Sequence, residues 1–206
     1  MRLYYHPLSS NARRVLMTAR HLGIDLELVQ VDLAQGAQNR PEFLKLNPNH
    51  RVPVLEHDGF VLWESYAIMQ YLADLTPGQT LYPADLKARA DVNRWLFWCG
   101  QDFMPGAAIL NWENAIKPRF GIGPTDATEV ARGERLMTAA AKVLDAHLAD
   151  ADWLCPNGPT LADFAIGAPI GNQESGKYPL GAFANLQRWH GQVRALKAWE
   201  ASQPQP

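Results

Sequence analysis

The chain is short of three things, and each shortage removes a class of function. Only two cysteines, Cys99 and Cys155, occur in 206 residues. They are too far apart for a C-x-x-C redox pair and too few for a metal cage or a disulfide framework, so two buried, inert thiols and no metal are expected. A marked excess of charge of one sign is missing too: charged residues make up 19% of the chain and the formal net charge is -2. Such a balance gives no electrostatic bias toward nucleic acid or anionic lipid. Long apolar runs are also absent, and the start, "MRLYYHPLSS", is interrupted by polar residues where a signal peptide needs an apolar stretch. A soluble, cytoplasmic protein without a membrane partner is expected. With 47% hydrophobic residues the chain can still bury a large core, so any specificity has to be sought locally.

The first third alternates short strands and helices. "RLYY" reads as a strand, and Ala12, Val15, Leu16, Ala19 and Leu22 recur on one helical face that stops at Gly23. "DLELVQVDL" is apolar on both faces, as a central strand of an α/β sheet should be. A longer irregular connection from Pro41 to Pro48 follows. "VPVL" and "FVLW" then flank Asp58-Gly59, a strong hairpin signal. Ile68, Tyr71, Leu72 and Leu75 form the next helical stripe, ended by Pro77 and Gly78. The order β-α-β, connection, β-β-α makes a small mixed sheet with helices packed on it. That is a thioredoxin-like arrangement without the usual cysteines, and a dithiol enzyme is excluded because no Cys precedes Cys99.

The remainder reads as all-helical. A linker is expected near Thr76 to Asp85, which gives domains at 1–78 and 86–206. Val92, Trp95, Leu96, Cys99 and Phe103 keep helical spacing, as do Val130, Met137, Ala141, Leu144 and Leu148. "KPRFGIGPT" reads as a connector between helices. Thr160 and Asp163 have the spacing of an acidic capping box, which assigns Asp163 a structural role. A single last helix, "NLQRWHGQVRALKAWE", is expected to bury Leu186, Trp189, Val193 and Leu196.

One stretch carries chemistry: "NPNHRVPVLEHDGFVLWES". Only an X-Pro bond takes the cis form at modest energy. A cis Val52-Pro53 bond would turn the backbone of Val52 outward, ready to pair with an extended peptide, although Pro53 alone equally reads as a turn proline. Glu64 and Ser65 stand where a strand gives way to a helix, so free amides and the positive dipole end favour a carboxylate, and Glu64 suits an ammonium beside it. His50 and Arg51 could hold a second carboxylate. Together these describe a slot for a short peptide with an amino-acid head and a carboxylate tail. Its middle side chain would project to "HPLSSNARR", where Ser9, Ser10 and Asn11 open the first helix. A thiol held there ionises more easily. Lowering its value of ~8.5 by about two units takes ~2.7 kcal/mol, within reach of a hydroxyl and a helix terminus.

"YYHPLSSNARRV", "PEFLKLNPNHRVPVLEHDGFVLWES" and "TLADF" resemble the cytosolic glutathione transferases, especially the serine-using delta and theta classes, over nearly the whole chain. The resemblance implies a thioredoxin-like α/β N-terminal domain that binds glutathione, followed by an all-α domain that supplies a hydrophobic substrate site. It implies that the Ser9 hydroxyl donates to the glutathione sulfur. By the same likeness Val52, beside Pro53, pairs with the cysteinyl backbone, Glu64 and Ser65 hold the γ-glutamyl group, and His50 and Arg51 approach the glycyl end. Some bacterial relatives leave Asn11 and Ser10 as further candidates for the thiol, in that order after Ser9. Ser10 stands where beta-class relatives carry cysteine, which argues against a mixed disulfide with the enzyme. Tyr66 replaces an Arg common in the delta class, which lowers the expected affinity for glutathione.

The implied activity is conjugation of glutathione, a co-substrate, to small hydrophobic electrophiles, with no covalent enzyme intermediate. The electrophile is expected between the Ser9 loop and the first long helix of the second domain, lined by Phe103, Met104, Ile109 and Trp112. Homodimers are usual in the family. Two other activities fit the same peptide slot: a glutathione-dependent disulfide or peroxide reductase, and a non-catalytic module that carries apolar ligands or docks a protein.

Overall fold

The computed structural model describes residues 1–203. The chain divides into two units: Met1–Tyr82 together with the segment from Leu196 on, and Pro83–Ala195. Among the described residues no helix is long and apolar enough to cross a membrane.

The first unit runs β1 (Arg2–Tyr5), α1 (Ser10–Leu22), β2 (Glu27–Gln30), α2 (Pro41–Leu44), β3 (Val54–His57), β4 (Phe60–Trp63) and α3 (Ser65–Asp74). Its four strands lie in the order β2-β1-β3-β4. β1 and β2 are parallel, with Leu3 opposite Leu28, while β3 is antiparallel to both β1 and β4. This is the thioredoxin-like unit. The hairpin turns on Asp58 and Gly59, both at positive φ (49° and 83°), as a two-residue turn of matching twist requires. Gly23 ends α1 in the left-handed region, its N–H reaching the carbonyls of Ala19 and Arg20.

Two expectations change here. β2 is an edge strand, and its Leu28 is 37% exposed. β3 pairs with β1 on the side away from β2, and the buried apolar residue of this stretch is Val31, just past the end of β2, in a cluster with Phe43, Val52 and Val54. The connection from Pro41 is also not wholly irregular, since Pro41 opens the short α2 at the position where its missing N–H costs nothing.

The second unit begins with one long helical run: α4 (Leu86–Trp98), α5 (Met104–Asn111) and α6 (Lys117–Phe120), joined by wide turns at Cys99–Phe103 and Trp112–Ile116. At the end of these turns the N–H of Met104 reaches Cys99 and that of Lys117 reaches Trp112, five residues back instead of four. Each is followed by a proline, Pro105 and Pro118. A proline ring clashes with the carbonyl four residues before it, and one extra residue in the turn relieves the clash without ending the helix.

α7 (Ala127–His147), α8 (Leu161–Ile170) and α9 (Ala184–Ala195) complete the unit. Gly106 and Gly133 let α5 and α7 approach closely: a Cβ at Gly106 would lie 2.8 Å from the backbone N of Met137, and one at Gly133 2.9 Å from Leu110. The core includes Leu110, Met137, Leu144, Phe164 and Trp189, all fully buried.

The expected single last helix is two. The chain leaves helical geometry at Leu196 (ψ 136°) and resumes as α10 (Lys197–Ala201). α10 belongs to the first unit, where it packs on α1. There the Arg13 guanidinium stacks on the Trp199 ring at 3.8 Å and its Nε donates to Ser202 Oγ at 3.5 Å.

Candidate active site

Strand pairing gathers most of the expected site at one end of the sheet. Tyr4 of β1 faces Val54 of β3, and Val54 faces Trp63 of β4. The end of β1, the start of β3 and the end of β4 therefore share one edge. The Ser9 turn follows the first, Val52-Pro53 precedes the second, and Glu64-Ser65 follows the third.

Ser9 is the N-cap of α1 (φ -83°, ψ 111°), and its Oγ accepts the N–H of Ala12 at 3.2 Å. With that lone pair spent inward, the hydroxyl hydrogen is what Ser9 has left to give, and accepting a bond strengthens it as a donor. Ser10 and Asn11 occupy the first two helical positions, and Arg13 makes the first helical bond, to the Ser9 carbonyl at 2.9 Å. The amides of Ser10 and Asn11 thus precede the helical ladder.

The Val52-Pro53 bond is cis. The Val52 side chain is buried in the cluster with Val31, Phe43 and Val54, while no hydrogen bond among the described residues engages its backbone. The preceding loop is held by a residue that sequence reasoning passed over. Asn47 is buried; its Nδ2 donates to the Arg51 carbonyl at 2.7 Å, and its Oδ1 accepts from the Asn49 amide and side chain, each at 3.0 Å. The signal available was the Asn-Pro pair, which favours turn initiation. His50 sits at positive φ (58°), with Nδ1 2.9 Å from Asn39 Oδ1, and both His50 and Arg51 are exposed.

Glu64 precedes α3 at φ 74°, ψ 112°, outside the conformations ordinary residues favour, and its side chain makes no cap. Such backbone costs of order 1–3 kcal/mol and persists only where its surroundings enforce it. Ile68 makes the first helical bond, to the Glu64 carbonyl at 3.0 Å. The amides of Ser65, Tyr66 and Ala67 therefore begin the helix without helical partners, beside the buried Ser65 and the exposed Glu64. The edge offers hydrogen-bond donors at two helix starts and a free stretch of backbone between them. Tyr66, where an Arg was expected by resemblance, instead stacks with the buried Arg14 at 4.7 Å.

The residues expected to line an apolar site all lie in the helical unit but differ in what they present. Trp112 is 44% exposed, Met104 and Ile109 are half-buried, and Phe103 is fully buried beside Trp98. Phe103 offers a ligand no surface. Helical spacing correctly gave it an inward face, and that inward face leads to the unit's own core.

Both thiols are buried and unpaired with each other. Burial, reinforced by nearby Asp91, pushes the Cys155 thiol up to about 12. "KPRFGIGPT" is tied down at both ends. Glu113, buried, accepts from Lys117 Nζ and from the Asp126 amide, both at 2.8 Å, and its carbonyl accepts from Thr125 Oγ1 at 3.0 Å. The Asp126 N–H, and then Lys117, hold the Glu113 carboxyl below the usual carboxylate range.

The model of the glutathione S-transferase N-terminal domain matches residues 1–74, and that of the C-terminal domain residues 103–197. A delta-class glutathione transferase of Nilaparvata lugens is 36% identical, with a TM-score of 0.84 over 98% of this chain and 92% of that one. A glutathione S-transferase from Xanthobacter autotrophicus Py2 is 28% identical, with a TM-score of 0.85 over 96% and 94% of the two chains. Glutathione S-transferase-I, solved with lactoylglutathione, shares the fold at 23% identity and a TM-score of 0.86 over 98% and 97%.

Proposed function

The chain belongs to the glutathione transferase family, and from that premise we propose that it joins the sulfur of glutathione to an electrophilic carbon of small apolar compounds. The observation that carries this reading is the state of Ser9. Its oxygen accepts the Ala12 N–H, which holds the hydroxyl in place and leaves its hydrogen available to donate to a thiolate and stabilise it against protonation. A charge-assisted bond of this kind contributes ~1.5–3 kcal/mol, comparable to the ~2.7 kcal/mol that a two-unit fall in thiol pKa requires.

The tripeptide would lie across the edge shared by β1, β3 and β4. Two inter-strand spacings span roughly 10 Å, close to the reach of three extended residues. Its γ-glutamyl carboxylate would meet the open amides of α3 and its ammonium Glu64. The cysteinyl backbone would pair with Val52, and the glycyl carboxylate would approach His50 and Arg51. From the helical unit, Met104, Ile109 and Trp112 retain surface for an apolar partner, whereas Phe103 does not. In the reaction the sulfur's electron pair forms the S–C bond and the leaving group departs with its own pair. The enzyme supplies proximity and an ionised sulfur and makes no bond of its own. A homodimer is the expected working form.

Two measurements test this: calorimetric titration with reduced glutathione, and initial rates on an aryl halide and on bis-hydroxyethyl disulfide. Binding with faster turnover of the halide is the expected result. Binding with faster turnover of the disulfide would make the protein a reductase. Absence of heat from folded protein would overturn the glutathione site itself.

A further inference from the structure

We propose that His6 is a positioning residue for Ser9, and that its neutral imidazole is part of the working site; this rests on the transferase reading above. The chain leaves β1 at Tyr5 and starts α1 at Ser10, so the four residues His6-Pro7-Leu8-Ser9 must reverse its direction. The turn closes through Ser9 N–H to the His6 carbonyl at 2.9 Å. Pro7 suits the second position of such a turn and has no N–H. The one other amide inside the turn is that of Leu8, which donates to His6 Nδ1 at 3.2 Å. His6 therefore supplies the acceptors for both amides of the segment that delivers the Ser9 hydroxyl.

The direction of the Leu8 bond fixes the state of the ring. A backbone N–H can only donate, so Nδ1 must carry a lone pair and no proton. Protonation turns Nδ1 into a donor facing a donor, which removes the contact and sets the Leu8 amide loose next to Ser9. His6 borders a cavity of about 250 Å³. Among the described residues that line this cavity, the ionisable ones are Arg13 and Arg20 from α1 and Tyr5 from β1. β2 contributes Leu28 and Gln30, and the C-terminal segment Ala201, Ser202 and Gln203, none of them charged. Of the ionisable groups, Arg20 is paired with Asp25 at 3.8 Å, and the acceptor form of the ring is required by the Leu8 contact itself. Asparagine can make the same contact: its side-chain oxygen accepts from the amide two residues on, and it does not titrate in this range.

The test compares wild type, His6→Asn and His6→Ala by kcat and KM for glutathione from pH 5 to 8. It also follows the Leu8 and Ser9 amide NMR signals in ligand-free protein across the same range. The His6→Ala variant is expected to lose about tenfold in kcat with KM within about twofold, a positioning loss of the size that small displacements cause. His6→Asn is expected to stay within about twofold of wild type at pH 7.5. The ratio of wild-type to His6→Asn rate should fall on the acid side as the imidazole of the wild type protonates. In the ratio, the titration of the bound thiol cancels. In wild type the Leu8 amide should shift with the His6 titration, and in His6→Asn it should not. A flat rate ratio, an Asn variant as impaired as the Ala variant, or a Leu8 signal indifferent to His6 would overturn the proposal. If no substrate is turned over by any form, the transferase reading fails, and the Leu8 titration still decides the role of His6 in the turn.

Discussion

The helical unit and the thioredoxin-like unit start their helices in opposite ways. In the helical unit every helix that begins afresh meets a carboxylate. Asp85 accepts from Lys87 and Ala88 at the start of α4, and Asp126 from Thr128 and Glu129 at the start of α7. Asp145 accepts from Leu186 near the start of α9. The fully buried Asp163 takes four donors around the start of α8: the amides of Leu154 and Thr160, the Thr160 hydroxyl and Trp189 Nε1. In the other unit α1 starts on the single hydroxyl of Ser9 and α3 on Glu64, whose side chain caps nothing. A carboxylate at a helix start satisfies the amides and repels any other anion, which makes the start purely structural. The short α2 and α10 also lack a carboxylate cap, but it is the starts of α1 and α3, at the shared sheet edge, that keep donors and a favourable dipole for an anionic guest.

The largest effect that would sharpen this contrast is expected at Asp163. Asp163→Ala leaves buried donors from Leu154, Thr160 and Trp189 without an acceptor, at ~3–5 kcal/mol together, or roughly 10 °C in Tm. Calorimetry should show that loss, with the activity per folded molecule unchanged. At the open start the burden should fall on rate. Ser9→Ala is expected to lower kcat/KM for glutathione conjugation ~30-fold, about 2 kcal/mol, while the lost cap costs stability only ~1 kcal/mol. Unfolding on Ser9→Ala, or full activity, would break the comparison.

At Glu64 the sign of the stability change should reverse. Glycine tolerates φ 74°, so Glu64→Gly relieves strain and is expected to stabilise the fold by about 1 kcal/mol while weakening glutathione binding. A destabilised Glu64→Gly would show that the side chain holds the structure and not a ligand. The smallest effect belongs to Glu113. Its proton affinity in the folded state is depressed, so its contribution is in place above the ordinary carboxylate range and is lost as the pH falls from that range through the depressed folded-state value. Glu113→Gln should flatten the acid limb of Tm against pH, and identical slopes in the two proteins would refute the assignment.

What could be read in advance was local. Asp58-Gly59 set a hairpin because only a few residues tolerate two consecutive positive φ values. Thr160 and Asp163 announced a capping box because the reciprocal bonds span three residues. The run around Val52-Pro53 and Glu64-Ser65 stood out for a similar reason, through the cis bond and the strand-to-helix junction that the structure shows there. Less visible were contacts whose partners are distant or whose geometry is not a pattern. Asn47 and His6 look like ordinary polar residues until the loops they hold are folded. Pro105 and Pro118 stand inside one helical run because a wide turn before each gives the ring room, a geometry that no local pattern announces. Phe103 has the spacing of an inward face, and spacing cannot tell a core from a pocket.

By itself the sequence determined the element types, the turn at Asp58-Gly59, the candidate donors at Ser9 and Ser65, and the family. The family rests on the resemblance of whole motifs, and the others depend on the intrinsic preferences of neighbouring residues. Tertiary structure alone decided that β2 lies at an edge, that the last helix breaks at Leu196 and returns to α1, and that the Ser9 turn, Val52 and Ser65 share one end of the sheet. Those outcomes depend on which strand pairs with which and on which surface is covered, quantities set by contacts between residues far apart along the chain.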